Sequence, residues 1–308
     1  MASYIAKRLI QGVIVLFLVS LLTFFVMYFM PGDPARQMVG QAYVTDAQLD
    51  LIRDKWGLND PWYERYGTWI GNVVTGNFGT SMMRPGMGIT TMIGDAAGMT
   101  LRLTTLSFLI SLCIAIPVGI IAAVKRYSWF DYGSMLGSTL GVAIPNYWIG
   151  LMGIVIFSIK LGWLPPYGSD GWKSYVLPVI VLSIEEIAAL ARITRGATIG
   201  VLSMDYVTTA RAKGLPFHQI VRAHVVRNTL LPVITIIGYR IAFILSGTIV
   251  VETVFAWPGL GRLFYQAITS QDLQVVQAIV LLLTALVVVA NIITDLTYAF
   301  IDPRVRIS

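Results

Sequence analysis

Charged residues are scarce in this chain of 308 residues, in which Asp, Glu, Lys and Arg together make up only 12%. A typical soluble domain has about 25% charged residues and no long apolar stretches. Here 56% of the residues are hydrophobic, and the mean hydropathy is +0.74. Several uncharged runs reach the roughly 20 residues that an α-helix needs to cross a bilayer. This composition excludes a soluble enzyme, a nucleic-acid-binding domain and a disordered protein.

Residues that build reactive or metal sites are also scarce. The one cysteine, Cys113, lies in an apolar stretch, so the sequence has no disulfide framework. His218 and His224 are the only histidines, and their spacing places them on different sides of a helix, which argues against a metal site. No lysine follows a glycine, so the Gly-Lys-Ser/Thr of a phosphate-binding loop is absent. We therefore expect a non-enzymatic chain that binds no metal or cofactor and takes its energy from a partner or a gradient.

Six apolar runs are candidate membrane spans. They are Leu9–Met30, Leu103–Val124, Ser134–Ile159, Tyr175–Ala191, Leu230–Val251 and Val275–Ile293. The first is too long for the apolar region of a secretory signal and lacks a small-residue cleavage site, so we expect an uncleaved membrane anchor. The pattern predicts an all-α membrane protein with six transmembrane helices. It divides the chain into residues 1–30, an outer segment at 31–98 and a core at 99–308.

Lysine and arginine are concentrated at the span ends on one face of this topology. They stand before the first span, after the second, between the fourth and fifth, and after the sixth. The positive-inside rule therefore predicts that both termini and the loop at residues 196–230 are cytoplasmic. This asymmetry explains the pI of about 9.4. The excess of basic residues therefore does not indicate a nucleic-acid partner, and membrane lipid is the partner that we expect.

The outer segment at 31–98 has helical patterns of its own. Thr45 and Gln48 have the spacing of a capping box, and Gly57 can supply the left-handed residue that ends a helix. Trp62, Tyr66 and Trp69 then form one stripe of a second helix. Such a stripe packs on the protein or lies at the lipid headgroups, or it contacts a partner or a solute.

The 196–230 loop predicts two short helices joined by a tight turn. Gly214 suits the left-handed end of the first helix, and Pro216 suits the first turn of the second. Ala210, Ala212 and Gly214 are small enough for another surface to approach the backbone closely. The alternative is a plain connection whose basic helices lie on anionic headgroups.

Three ionisable residues lie at mid-membrane depth in the predicted spans. Glu185 and Glu186 are in the fourth span, and Arg240 is in the fifth. Because an unpaired charge in a bilayer is costly, we expect Arg240 to pair with one of the two glutamates. Such a pair would line a solute path or would lock two helices together.

Several stretches of this sequence resemble one family from end to end. DYVTTARAKGLP, followed by RNTLLPVIT, resembles the cytoplasmic loop of binding-protein-dependent ABC-importer permeases. PGDPAR, GLNDPWYERYGTWIGNVVTGNFGTS, IVVETVFAWPGLGRLF and DLTYAFIDPRVR resemble the peptide/nickel branch of that family, to which dipeptide and oligopeptide permeases belong. One departure is visible, because Thr208-Thr209-Ala210 stands where the wider superfamily has Glu-Ala-Ala.

The resemblance implies a type I ABC-importer permease fold and roles for particular residues. In this family the cytoplasmic loop docks on a separate ATPase subunit and couples its closure to pore opening. The matching positions are Asp205, Tyr206, Ala210, Arg211, Ala212, Lys213, Gly214 and Leu215. A second loop is expected to fold toward the outer mouth of the pore, and its residues are Glu252, Trp257, Pro258, Gly259 and Gly261. The alternative for this loop is a surface glutamate beside a tryptophan that anchors in the membrane interface.

The resemblance also implies partners and a class of solute. The partners are a homologous second permease, two ATPase subunits that bind ATP and Mg, and a periplasmic or lipid-anchored solute-binding protein. Short peptides are the favoured solute, and nickel chelates, glutathione, opines and small glycans are the alternatives. A gradient-driven secondary transporter is a rival, although no internal repeat supports it. A membrane scaffold without transport would leave the mid-membrane charges unexplained.

Overall fold

The computed structural model describes the backbone of residues 2–29, 31–40 and 42–301. It describes their side chains as well, except for residues 2–5, 37, 231, 235–247 and 294–301. The helices follow one another as α1 (Ala2–Tyr28), α2 (Pro34–Val39), α3 (Asp46–Lys55), α4 (Trp62–Val74), α5 (Ile89–Val124), α6 (Trp129–Ala143), α7 (Asn146–Gly153), α8 (Lys173–Leu202), α9 (Asp205–Ala212), α10 (Phe217–Ile220), α11 (Val226–Val254), α12 (Leu260–Thr269) and α13 (Leu273–Ile301). Two π-helical segments, Ile154–Lys160 and Val221–Val225, continue α7 and α10.

The predicted all-α membrane class is confirmed. Three helices are long and apolar enough to cross a membrane, in α1, α5 and α13, within the part of the chain that the structure describes. A bent pair, formed by α6 and by α7 with its π-helical end, adds a fourth if the pair counts as one span. The fourth and fifth predicted spans lie inside α8 and α11, which have 30 and 29 residues. The total of six spans remains a prediction.

The third predicted span is not a continuous helix. Its two halves meet at 97° between Ala143 and Asn146. Ile144 has an extended backbone, with φ −87° and ψ 125°, because Pro145 disfavours the helical conformation of the residue before it. Pro117 and Pro178, by contrast, stay inside α5 and α8. The run Ser134–Ile159 is therefore a broken span or a re-entrant loop.

The described residues divide into two compact units. One unit combines Met1–Gly98 with Gly259–Ile292, and the other combines Met99–Pro258 with the described residues 293–301. The first unit has an apolar core formed by the start of α5, by α12 and by α13, with Ile89, Leu260 and Ile279 among its buried members. The three-part division predicted at residues 30 and 98 remains an interpretation.

The outer segment folds largely as its sequence predicts. α3 begins after Thr45, whose backbone N–H donates to Gln48 Oε1 at 2.9 Å, so this half of the capping box forms. Gly57 has a φ of +60° and lies after the end of α3. The aromatic stripe of α4 packs on α1, with Tyr66 and Trp69 at 5.3 and 6.2 Å from Phe24 between ring centroids. The interpretation that this stripe packs on the protein is confirmed for these two residues.

The second unit is held together by close helix contacts. Leu177 and Val181 of α8 pack with Val251 of α11 and with Phe255 in a buried cluster. Gly119 of α5 lies against the backbone of α8, where a Cβ atom would be 2.6 Å from the carbonyl oxygen of Ala191. The absence of a side chain at Gly119 therefore lets two helix backbones approach closely.

Candidate functional site

The 196–230 loop contains the predicted helix–turn–helix, formed by α9 and α10. Gly214 has a φ of +79°, which favours glycine over any residue with a side chain. The Gly214 N–H donates to Arg211 O at 2.9 Å, and the Leu215 N–H donates to Ala210 O at 3.3 Å. This pair of bonds is the Schellman arrangement that satisfies the last carbonyls of a helix. Pro216 precedes α10, as the sequence indicates.

This loop has a small apolar core of its own. Val207 and Ala210 of α9 pack with Ile220, Val225 and Val201, all of them buried. Ala210 is therefore part of the interior of the loop, although its small size first indicated a contact surface. Because α9 and α10 bury their apolar faces against each other and α8, the turn between them has a defined conformation.

The other predicted coupling positions are on the surface of the loop. They are Asp205, Tyr206, Arg211, Ala212, Lys213, Gly214 and Leu215. The Arg211 guanidinium lies 5.1 Å from the centroid of the Phe217 ring, and the Tyr206 hydroxyl accepts a hydrogen bond of 3.0 Å from Asn228. These contacts give Arg211 and Tyr206 each a partner within the loop.

The two glutamates that were predicted at mid-membrane depth occupy different environments. Glu185 is exposed, and its Oε2 atom accepts a hydrogen bond of 2.8 Å from Asn146, the first residue of α7. Glu186 is half-buried. Glu185 therefore lies beside the break between α6 and α7. The side chain of Arg240 is outside the described residues, so its pairing with either glutamate remains a hypothesis.

Glu252 and Trp257 are both fully buried within the second unit, each with 0% of its surface exposed. Thr100 donates to Glu252 Oε1 at 2.7 Å, and the Trp257 indole N–H donates to Met99 O at 3.2 Å. The Trp257 ring also meets the Tyr175 ring edge to face at 4.5 Å. The alternative of a surface glutamate beside an interfacial tryptophan anchor is therefore wrong. The role of this loop at the outer mouth remains a prediction.

The turn of this loop does not use its two glycines. Pro258 is exposed, whereas Gly259 and Gly261 are buried, and Gly261 lies inside α12. The left-handed residue is Ala256, with a φ of +49°. The Trp257 N–H returns to Glu252 O at 2.8 Å and closes the turn there. The sequence offered no signal for this position, because alanine seldom adopts a positive φ.

Side chains that could bind a metal do not cluster in the described ranges. No group of three or more His, Cys, Asp or Glu is placed to hold a metal ion among these residues. His218 and His224 are both exposed on the 196–230 loop.

Two unforeseen contacts fix the end of α8 that leads into the 196–230 loop. Asp131, in the first turn of α6, forms an ion pair with Arg195 at 2.5 Å. Arg192 donates to the Ser138 carbonyl oxygen at 3.1 Å. The sequence shows these arginines only as positive charges near a span end, and no local pattern connects them with residues more than 50 positions away.

Known families and proteins match this chain over nearly its whole length. Residues 115–307 match the family described as "Binding-protein-dependent transport system inner membrane component", and residues 1–95 match the N-terminal part of such membrane components. The oligopeptide transport system permease protein AppB of Bacillus subtilis (strain 168) is 39% identical, over 99% of this chain and all of that protein. The glutathione transport system permease protein GsiC of Escherichia coli (strain K12) is 40% identical, over 99% of both chains.

A solved structure supports the same fold. The MetNI methionine ABC transporter in an inward-facing conformation is similar over 68% of this chain and 96% of the compared chain, with a TM-score of 0.53 and 19% identity. At this level of identity the similarity concerns the fold. Together with the family matches, it supports a permease fold for this chain. The chain belongs to the family of inner-membrane components of binding-protein-dependent transport systems, and it is a permease subunit of an ABC importer.

Proposed function

We propose that this permease subunit forms, with a homologous second permease, the membrane path through which short peptides enter the cell. The observation that carries the choice of solute is its identity of about 40% to an oligopeptide permease and a glutathione permease along the whole chain. Glutathione is itself a tripeptide, so both relatives are named for solutes with peptide bonds. Nickel chelates, opines and small glycans remain the alternatives.

ATP hydrolysis is assigned to two separate ATPase subunits, which bind ATP and Mg and dock on the 196–230 loop. The absence of any Gly-Lys pair supports this division of work, because a phosphate-binding loop needs that lysine. The exposed turn from Arg211 to Leu215 is the surface that the ATPase would contact. The buried cluster around Val207 and Ile220 would transmit this movement to α8 and α11 as a unit.

The orientation follows from the basic residues. Lys7 and Arg8 precede the first span, so the N-terminus is assigned to the cytoplasm, and the C-terminus to the same side. The 31–98 segment then faces outward, where a solute-binding protein delivers its cargo toward the loop that contains Glu252 and Trp257. A gradient-driven transporter does not fit the ABC-importer family to which the chain belongs.

The solute path is assigned to the break between α6 and α7. Asn146 and Glu185 place an amide and a carboxylate at this break, and Glu185 is exposed there. An exposed carboxylate at mid-membrane depth suits contact with the ammonium group of a peptide. Glu186 and Arg240 are the neighbouring charged candidates.

Uptake by the complete importer tests this function. The importer is reconstituted in proteoliposomes with its ATPases, second permease and binding protein, and labelled di- and tripeptides are supplied on the outside. We expect uptake of the labelled peptides to require ATP inside the vesicles. Unlabelled peptides should suppress this uptake, whereas a nickel chelate, an opine or a trisaccharide should not. Uptake that follows an ion gradient without ATP would contradict the mechanism. ATP-dependent uptake of another solute alone would contradict the choice of peptides.

A further inference from the structure

A cavity with both polar and apolar walls lies inside the first compact unit, and its walls include no residue of the loop or the path described above. Its volume is about 200 Å³, and its walls come from α1, from α4 with its flanking turns, and from the start of α13. This volume is many times the roughly 10–15 Å³ that a single water requires, so the cavity has room for a small solute. A neighbouring cavity of about 440 Å³ shares Tyr28, Leu58 and Arg65 in its walls.

Arg65 of α4 supplies a positive charge to this cavity. Its guanidinium lies 5.2 Å from the centroid of the Tyr28 ring, and its Nη1 donates only a long bond of 3.4 Å to the Leu58 carbonyl oxygen. Within the described residues, no carboxylate forms an ion pair with it. Partial burial lowers the pKa of the Arg65 guanidinium, although Tyr28 and the charge of Asp60 oppose this effect. A half-buried cation without an ion-pair partner favours an anionic ligand.

Asp60 supplies a negative charge to the same cavity. It precedes α4, and its carboxylate lies against Gly57, where a Cβ atom would be 2.7 Å from Oδ2. Asp60 and Arg65 do not form an ion pair with each other, although both line the cavity. Two opposite charges that are held apart leave room for a ligand that carries both signs. A multiply charged anion such as phosphate would be repelled by Asp60.

Two amide side chains of α13 complete the polar wall. Gln274 Oε1 is buried without a hydrogen-bond partner, which is costly unless a ligand or water donates to it. Gln277 has only 7% of its surface exposed and also lines the cavity. Phe24, Trp56 and Trp69 form the apolar wall. Charges of both signs, uncommitted amide groups and aromatic rings together match the chemistry of an amino acid or a short peptide.

We propose that this cavity binds a small zwitterion of the amino-acid or short-peptide class, with its carboxylate on Arg65 and its ammonium group on Asp60. The ligand class is that of the proposed function, on which the choice of a peptide probe rests. The site shares no described wall residue with the assigned path, because its described walls belong wholly to the first compact unit. It would let the membrane subunit hold a solute without the binding protein.

The test uses the full-length permease alone, purified in dodecyl maltoside, which has no anionic group. Calorimetry compares three probes: alanyl-phenylalanine, its C-terminal amide and its N-acetyl derivative. We expect the free dipeptide to bind about tenfold or more tightly than either blocked form, because each blocked form lacks one charge-assisted hydrogen bond. Blocking the carboxylate removes the interaction with Arg65, and acetylation removes the interaction with Asp60.

Variants connect each blocked charge with one residue. In Arg65→Gln the free dipeptide and the amide should bind equally weakly, and in Asp60→Asn the free and acetylated forms should bind equally weakly. Arg36→Gln and Asp46→Asn are the controls, because they remove a positive and a negative charge at exposed positions of the same segment. Both variants should still bind the free dipeptide more tightly than either blocked form. Arg65→Lys keeps the charge and should retain part of the preference for the carboxylate.

Two results would overturn the proposal. One is equal binding of the free dipeptide and both blocked forms to the unaltered permease, a result that does not depend on any variant folding. The other is a preference for the carboxylate that persists in folded Arg65→Gln. Peptide binding without peptide uptake by the complete importer would contradict the proposed function and support the site. Uptake without binding to the isolated permease would contradict the site alone.

Discussion

Arg195 contacts both carboxylate oxygens of Asp131, with Nε at 2.5 Å from Oδ1 and Nη2 at 2.8 Å from Oδ2. The same carboxylate accepts the Tyr127 backbone N–H at 3.0 Å. Asp131 therefore ties the turn before α6 to the end of α8, next to the 196–230 loop. A movement of that loop would pass to α6 through a pair of charged side chains as well as through apolar packing.

Removal of either charge from this pair should destabilise the permease. Asp131 has 2% of its surface exposed, so loss of Arg195 leaves a buried carboxylate without its counter-ion. Breaking a fully buried ion pair costs about 3–5 kcal/mol, and the cost here is smaller because 22% of the Arg195 side chain is exposed. We expect Asp131→Asn and Arg195→Gln each to lower the thermal unfolding midpoint in detergent. The midpoint of the double variant should fall by less than the sum of the two single decreases. Additive losses would contradict a direct coupling between the two residues.

A side chain at Gly119 should disrupt the packing of α5 on α8. The Cβ atom of Gly119→Ala would lie 2.6 Å from Ala191 O and 3.0 Å from Arg195 N, and neither backbone atom can move without its helix. Overpacking of this kind costs about 1–3 kcal/mol. Gly137→Ala in α6 is the matched control, because nothing lies within 4 Å of the position that its methyl group would take. Equal thermal midpoints for the two variants would show that α5 and α8 do not pack as closely as described.

The outer segment should lose stability in acid through Asp33. The side-chain hydrogen bond from Arg53, at 2.5 Å, is the main cause that lowers the pKa of the Asp33 carboxyl below its ordinary value. Because the folded-state pKa is the lower one, the stabilisation is complete above the unfolded value of about 3.9 and is lost as the pH falls through the folded value.

The pH dependence of thermal unfolding checks this effect. At neutral pH, Asp33→Asn should unfold at a lower temperature than the unaltered permease, and the difference should disappear in acid. Asp46→Asn, which alters an exposed carboxylate of the same segment, should show a smaller difference. If the difference in unfolding temperature between Asp33→Asn and the unaltered permease stays constant down to the lowest pH, ionisation of Asp33 does not stabilise the fold.

Charge reversal tests whether Glu185 pairs with Arg240. If the two side chains form an ion pair, Glu185→Arg and Arg240→Glu should each impair ATP-driven uptake, and the double variant should recover part of it. Glu186→Arg with Arg240→Glu is the parallel pair for the neighbouring glutamate. A double variant that transports no better than either single one would contradict the pairing and would leave Asn146 as the described partner of Glu185.

The sequence predicted the elements whose signals are local. The helix end at Gly57, the left-handed turn at Gly214 and the aromatic stripe around Tyr66 each depend on residues within one or two turns of each other. Long apolar runs likewise indicated the helices that cross the membrane. The periodicity of apolar residues and the conformational preference of glycine are sufficient to predict such features.

The features that the sequence could not predict depend on tertiary contacts. Pro145 lies at a break between two helices, whereas Pro117 stays inside one, although each proline disfavours the helical conformation of the residue before it. Buried Glu252 accepts a hydrogen bond from Thr100, which lies about 150 positions earlier in the chain. Local pattern does not report such distant partners, and it also gave no sign of α12 or of the bend at Ala256.

The measurement that tests the account most directly is ATP-driven peptide uptake by importers that carry a change at Leu215. This residue has 41% of its surface exposed on the turn between α9 and α10. Unlike Gly214, it has no left-handed backbone, so a substitution there changes the surface without straining the turn. We predict that Leu215→Asp abolishes uptake and weakens co-purification of the ATPase, whereas Leu215→Met preserves both. Normal uptake with Leu215→Asp would contradict the assignment of this loop as the contact that couples ATP hydrolysis to transport.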